Sequence, residues 1–378
     1  MHDRFSFARL LAMMIKELIQ LKRDRLTFAM IIAIPIIQMT LFGFAINGDP
    51  RRLPTAVVAQ EQGPFTRSLV RALENTGYFE VVAPAADAVT AERLIERGDV
   101  QFVFTVPAGF ERALLRGEQP ALLLEADATD PSATGNAIGA VLQLATSALR
   151  HDLTGPLATP AGGSPAFEWR IHRRYNPEGI TQYNIVPGLM GVILTMTMIM
   201  MTGLAVTREV ERGTMENLLA TPVHPMEVMV GKIAPYVGIG YVQVSIILLA
   251  ARYVFNVPFE GNLALLLLGV LAFIAASLTV GITISSAAQS QMQAMQMTFF
   301  FFLPSLLLSG FMFPFRGMPR WAQFIGEALP LTHFLRLIRG VMLKGNGVVD
   351  VWPHIWPLLV FTAVVLAIGL KRFRKTLD

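Results

Sequence analysis

The sequence predicts an α-helical polytopic membrane protein with six transmembrane helices and an extracytoplasmic α/β domain. Composition is the first ground: of 378 residues, 53% are hydrophobic and only 15% are charged, against roughly 25% charged in soluble proteins. The second is the length of the uncharged stretches. Residues 185–206 contain no Asp, Glu, Lys or Arg, and at ~1.5 Å per helical residue they reach about 33 Å, enough to cross a hydrocarbon core of ~30 Å. Residues 261–315 carry no charge at all and are too long for one helix. The third is a change of composition over residues 47–183 to that of a soluble domain. There is no cysteine, so that domain is held by packing alone, and cysteine usage says nothing about compartment. The net charge of +4 is small. With no basic patch interleaved with aromatics, nucleic acid is not an expected partner.

Residues 1–25 are expected to form a cytosolic amphipathic interfacial helix, with Arg9, Lys16, Gln20 and Arg23 on one face and Phe7, Leu10, Leu11, Met14 and Leu18 on another. Residues 26–46 read as transmembrane helix 1, since the apolar run is longer than a signal-peptide core and lacks a cleavage site. Lys22, Arg23 and Arg25 precede it and place the N-terminus in the cytosol. In residues 47–183 the apolar runs TAVVA, FEVVA, QFVFTV and ALLLEA alternate with helical patterns at 65–75 and 90–97. A longer helix near 131–153 and a Gly/Pro-rich return linker at 154–166 follow. This alternation predicts a small sheet covered by helices. His151 and His172 are isolated and the carboxylates are scattered among arginines. No catalytic constellation results, and a binding or gating role stands beside a purely structural one.

Residues 184–378 are expected to hold transmembrane helices 2–6, at 185–206, 233–251, 263–284, 295–315 and 352–370, with a polar turn at 285–293 between the fourth and fifth. Residues 317–343, broken by Pro319 and Pro330, read as external interfacial helices, and Arg336 and Arg339, one turn apart, form a candidate exit gate. Arg316, Arg320, Arg336, Arg339 and Lys344 then all lie outside, in conflict with the positive-inside rule. The basic run at 371–375 marks a cytosolic C-terminus. Both ends inside require an even number of spans, which six satisfies.

Residues 207–232, TREVERGTMENLLATPVHPMEVMVGK, are the charged interruption between two apolar helices. Gly213 weakens the first helix, Thr214 can N-cap a new one, and Glu216 falls in its first turn, where the helix dipole favours a carboxylate. Thr221-Pro222 stops it and Pro225 suits the first turn of the next. A short helix across the membrane face is expected; a solvated loop is the alternative.

The run Glu211-Arg212-Gly213-Thr214, then Glu216, Leu218, Thr221-Pro222, Glu227 and Gly231-Lys232, resembles the signature of permease subunits of type-2 ABC exporters of the multidrug kind. The order of spans and the aromatic-proline loop at 310–319 resemble that family more loosely. The resemblance implies that 207–232 is a cytosolic coupling loop, with Glu209, Glu211, Arg212, Gly213, Thr214, Glu216, Glu227 and Lys232 as the ATPase-coupling residues. It implies two permease subunits, identical or different, and two cytosolic ATPase subunits that bind ATP and Mg²⁺. It further implies a bacterial inner-membrane location and export of a hydrophobic or amphiphilic compound, and it leaves room for a periplasmic adaptor. The chain is not expected to bind a cofactor or metal or to hydrolyse ATP: no G-x-x-x-x-G-K-[ST], HExxH or nucleophile elbow occurs. The expected spans also lack Asp, Glu, Lys and Arg, the charged groups on which a secondary carrier would normally rely, so energy must come from a partner.

On the second span, Gly188, Gly191, Thr195, Met198 and Thr202 recur at spacings of three and four and form a stripe along which helices can approach closely. It is expected to meet the second permease subunit or line the pathway; packing within the same subunit is the alternative. The methionines of this span and the Phe run at 299–302 could offer a soft surface to apolar cargo, although such residues more often face lipid or core. The rival to an exporter is a non-transporting receptor or secretion scaffold whose outer domain binds a ligand or protein. A charged coupling loop discriminates against it.

Overall fold

The computed structural model describes residues 50–84, 87–145, 147–150, 152–153, 165–211 and 225–375. The expected interfacial helix at 1–25, the span at 26–46, the linker at 154–164 and the central coupling loop at 212–224 lie outside the described residues.

The α/β domain runs β1 Leu53–Ala59, α1 Pro64–Asn75, β2 Phe79–Pro84, α2 Ala88–Arg97, β3 Phe102–Val106, α3 Phe110–Leu115, β4 Ala121–Asp127, α4 Pro131–Leu144 and β5 Glu168–Arg174. The strand order is β2-β1-β3-β4-β5, with β3 and β4 antiparallel and the other neighbours parallel. Local chemistry sets the helix ends. The Asp87 carboxylate accepts from Thr90 N at 2.7 Å and opens α2, and Gly98 closes it in the left-handed region at φ 76°. Asp130 caps α4, with Pro131 in its first turn. One side of the sheet buries Phe79, Phe102, Phe104, Phe110, Phe167 and Trp169, and the other packs Ala56, Val58 and Val103 against Ala91 and Ile95 of α2. The strand β5 and the helix α3 are additions to the expected pattern. β5 reads EWRIHRR, an edge strand whose Trp169 and Ile171 alternate correctly but are outnumbered by charges.

The helical part comprises α5 Thr181–Glu211, α6 Pro225–Tyr253, α7 Leu263–Ala287, α8 Gln291–Leu308, α9 Arg320–Glu327, α10 Pro330–Arg339 and α11 Val348–Lys375. Among the described residues, four helices are long and apolar enough to span a membrane: Thr181–Leu204, Pro235–Tyr253, Leu263–Ala287 and Val348–Gly369. The chain is thus a helical, membrane-type protein with an α/β sheet region. α8 covers the expected span at 295–315 but is shifted. It starts at the Ser290 N-cap and stops at Leu308, because Gly310 turns the chain at φ 85°.

The central helix is α7, which packs against α5, α11 and α10. Its burial is high while that of α6 and α11 is low, 61% against 17% of each most apolar window, so α6 and α11 turn most of their surface outward. Within 317–343, α10 packs into the helical part. Leu331, Phe334, Leu335, Leu337 and Ile338 are all buried, and Phe334 stacks on Phe273 of α7 with ring centroids 4.1 Å apart. α9 remains amphipathic at the surface, exposing Trp321, Phe324 and Ile325.

Candidate functional site

The two parts of the molecule meet at the C-terminal end of α2, where a helix leaves carbonyls unsatisfied and carries the negative end of its dipole. Donors from the helical part reach those carbonyls: Lys344 Nζ to Ile95 O at 3.1 Å, Asn346 Nδ2 to Glu96 O at 3.4 Å, and an Arg316 Nη to Gly98 O. Lys344 also pairs with Asp127 Oδ2 at 2.5 Å, with side-chain exposures of only 8% and 9%. The other Asp127 oxygen accepts from the Thr129 amide and hydroxyl at 3.1 and 2.7 Å. That buried carboxylate therefore has partners on both oxygens, the condition under which a buried ion pair is tolerable.

A second bridge starts on α5. Asn184 donates to Thr129 O at 2.8 Å, while its own Oδ1 accepts from Arg339 at 3.1 Å. Arg339 in turn donates to Gly310 O at 3.2 Å. On α10, Arg336 grips Glu327 through two bonds of 3.0 and 2.6 Å and lies 4.6 Å over the Phe315 ring, a fork-to-carboxylate geometry that Lys cannot reproduce. Between the two parts lies a cavity of about 470 Å³, walled by Gly98, Asp99 and Asp130 from the α/β domain and by Arg316, Arg339 and Lys344 from the helices.

The cavity perturbs the groups around it. Burial pushes the Arg316 guanidinium down, helped by the neighbouring Arg336 charge and opposed by Asp127 and Asp99. Burial also pushes Arg339 down. For Glu327 burial acts upward, but the hydrogen bonds and charge of Arg336 outweigh it and hold the carboxyl below its usual value. His333 is held down by burial and stays neutral near pH 7. Among the described residues, no group of three or more His, Asp or Glu side chains is placed to hold a metal ion.

The structure brings the candidate gate residues Arg336 and Arg339 into this one cavity wall. It explains Arg316 and Lys344 as well, whose charges dock the α/β domain; Arg320 stays exposed on α9. Asp127, Asn184, Glu327 and Asn346 were not singled out from sequence. The available signal was the cluster of cations that broke the positive-inside rule, because cations on the wrong side of a membrane need a protein partner.

The stripe on α5 faces the interior of this chain, as in the alternative of packing within one subunit. A Cβ at Gly188 would lie 2.6 Å from Phe311, and one at Gly191 would lie 2.7 Å from Leu331 and 2.9 Å from Phe334. Thr195, Met198 and Thr202 are buried, at 1%, 0% and 2% exposure. Met198 lies toward Gly240 of α6, and Thr202 against Gly281 of α7. The small side chains make room for α10, α6 and α7 of the same chain.

At the far end of α5, Glu211 is exposed and accepts from Gln291 N at 2.7 Å and Gln291 Nε2 at 2.5 Å. Those bonds lower its carboxyl pKa. They tie the start of the charged loop to the first turn of α8, an acceptor at a helix N-terminus. Glu209 lies on α5, and Glu227 and Lys232 lie on α6. Arg212, Gly213, Thr214 and Glu216 fall outside the described residues.

The helical bundle, its charged loop and the inserted α/β domain can be set against known proteins. The profile of the ABC-2 family transporter proteins matches residues 25–371. The chain belongs to that family. It is similar to the probable multidrug ABC transporter permease YbhR of Escherichia coli, 28% identical over 98% of this chain and 99% of that protein. It is similar to the E. coli inner membrane transport permease YhhJ, 29% identical over 96% of each. ABC transporter G family member 20 of Dictyostelium discoideum is 25% identical over 94% of this chain and 50% of that protein. This family member is accordingly a transporter permease, and the family implies an ATPase partner and a bilayer.

Proposed function

We propose that the chain is the permease half of an ATP-driven exporter, with its α/β domain outside the cytosol, residues 212–224 facing a separate ATPase, and six spans once the stretch at 26–46 is included. The observation that carries this reading is the separation of the two functional ends along one helix. α5 has 31 residues and is about 46 Å long by helical rise. Asn184, near its start, bonds to the α/β domain, and Glu211, at its end, bonds to the first turn of α8. α11 runs the same way: Asp350 near its start lies 3.5 Å from Arg97 of the α/β domain, while Gly369 near its end lies beside Thr283, late in α7. Its basic C-terminal turn thus shares an end with Glu211, and the positive-inside rule makes that end cytosolic.

The outward faces of α6 and α11 then serve lipid and a second permease subunit, while the cavity beneath the α/β domain lies on the exit side. The names of the relatives favour a drug-like, hydrophobic or amphiphilic cargo. The experiment is capture of the ATPase. The chain is purified from membranes, the bound ATPase is identified, and the Glu211→Lys, Arg212→Glu double reversal is compared with wild type for both capture and transport. Loss of both with normal folding supports the reading. Unchanged capture and transport removes the coupling role from this segment. Impermeant thiol labelling of Arg320→Cys in intact cells, on a chain with no natural cysteine, tests the sidedness, and labelling only after lysis inverts it.

A further inference from the structure

The cations around the junction cavity are not all alike. Arg336 has Glu327 and Lys344 has Asp127, but Arg316 and Arg339 contact only neutral acceptors. Arg316 reaches the Gly98 carbonyl; Arg339 reaches the Gly310 carbonyl and the Asn184 amide oxygen. The Nε of Arg339 is buried and has no hydrogen-bond partner. A guanidinium offers five donors in a fixed fork, and a buried one left partly unpaired is costly. What satisfies such a fork best is a planar or tetrahedral oxyanion.

We propose that this cavity binds a singly charged oxyanion, a carboxylate or phosphodiester carried on an apolar body, through the guanidinium groups of Arg339 and Arg316. The charge limit comes from Glu96, Asp99 and Asp130, which line the same cavity and disfavour a dianion. The apolar body is matched by Pro314, Phe315 and Leu335 in the lining. A volume of about 470 Å³ falls within the ~300–1,000 Å³ of small-molecule sites. The chemistry fits two sources, a free amphiphilic acid and the headgroup of an anionic phospholipid. Binding here needs no ATPase, so the inference stands apart from the transport reading.

The test uses the full chain in phosphatidylcholine nanodiscs. One arm titrates 2-naphthoate by calorimetry; the other doses phosphatidylglycerol and counts retained lipids by native mass spectrometry. Saturable binding in the first arm identifies a free acid, and selective retention in the second identifies a headgroup; either supports the site only if it depends on the arginines. Arg339→Gln and Arg316→Gln should each weaken that binding by at least about tenfold, the scale of a lost charge-assisted hydrogen bond. Arg320→Gln, on the exposed surface of α9, should leave it unchanged. If Arg339→Gln does not give a folded, monodisperse protein, Arg316→Gln together with Arg316→Lys decides, since Lys keeps the charge and loses the fork. No binding of either probe, or equal binding in wild type and the folded arginine variants, overturns the proposal.

Discussion

The two ends of the helical bundle are built on opposite principles. At the α/β end the Lys344–Asp127 pair is buried and ties the helices to the sheet domain, while Arg336 with Glu327 and Arg339 with Asn184 brace the helical side of that junction. At the other end, among the described residues, the exposed carboxylate of Glu211 holds the first turn of α8. Low dielectric makes the first set strong and costly to break, whereas solvent screens the second. The contrast assigns roles. The α/β end is a docked junction whose geometry is held internally, and the Glu211 end, among the described residues, is joined to α8 by exposed hydrogen bonds.

Breaking the junction is expected to give the largest effect. Lys344→Met leaves Asp127 buried beside no cation and should destabilise the protein by ~3–5 kcal/mol, while Lys344→Met with Asp127→Leu should recover most of that loss. Thermal unfolding of the purified chain measures both, and a negligible cost for the single variant would make the two ends alike. Next comes the seam that joins the ends. Gly281→Ala sets a Cβ 2.8 Å from the Ile199 carbonyl oxygen and from Thr202 Cβ; the backbone must yield, at about 1–3 kcal/mol of overpacking strain. A melting temperature equal to wild type would show α5 and α7 to be less tightly seated than they stand here.

Acid should loosen the junction before the rest. Burial lowers the His333 pKa from its ordinary 6.5, so the unfolded chain binds the proton first, and stability falls as pH drops from 6.5 toward the folded value. The Glu327 carboxyl, also lowered, from 4.5, adds a second loss at lower pH as it is protonated and releases Arg336. Amide exchange of α9 and α10 across this range should rise ahead of α7, and His333→Gln should reduce the upper step while leaving the lower one in place. The smallest stability effect belongs to Glu211→Gln. Its carboxylate is exposed, so melting should be unchanged, while coupling to an ATPase should suffer. A large drop in melting temperature would contradict the exposed character of those bonds.

Sequence alone determined what periodicity, length and hydropathy can report. The apolar stretches are helices, Ser290 and Pro225 open helices where the polar break and the proline placed them, and the strands Leu53–Ala59, Phe79–Pro84, Phe102–Val106 and Ala121–Asp127 follow their apolar runs, because each such signal lies within a few residues of its effect. The motif from Glu211 to Lys232 placed the chain in its family. Tertiary structure decided what faces what. The spacing of Gly188, Gly191, Thr195, Met198 and Thr202 showed a close-packing face but not its occupant, since small residues admit any helix; here they admit Phe311 and helices of the same chain. On α10, Arg336 and Arg339 interrupt the apolar residues in sequence, yet the helix packs into the protein, with Glu327, Asn184 and the Gly310 carbonyl accepting from those arginines. Arg316 and Lys344, two of the cations that broke the charge rule, find partners 217 to 249 positions earlier in the chain, a separation across which only folding brings a cation to its acceptor.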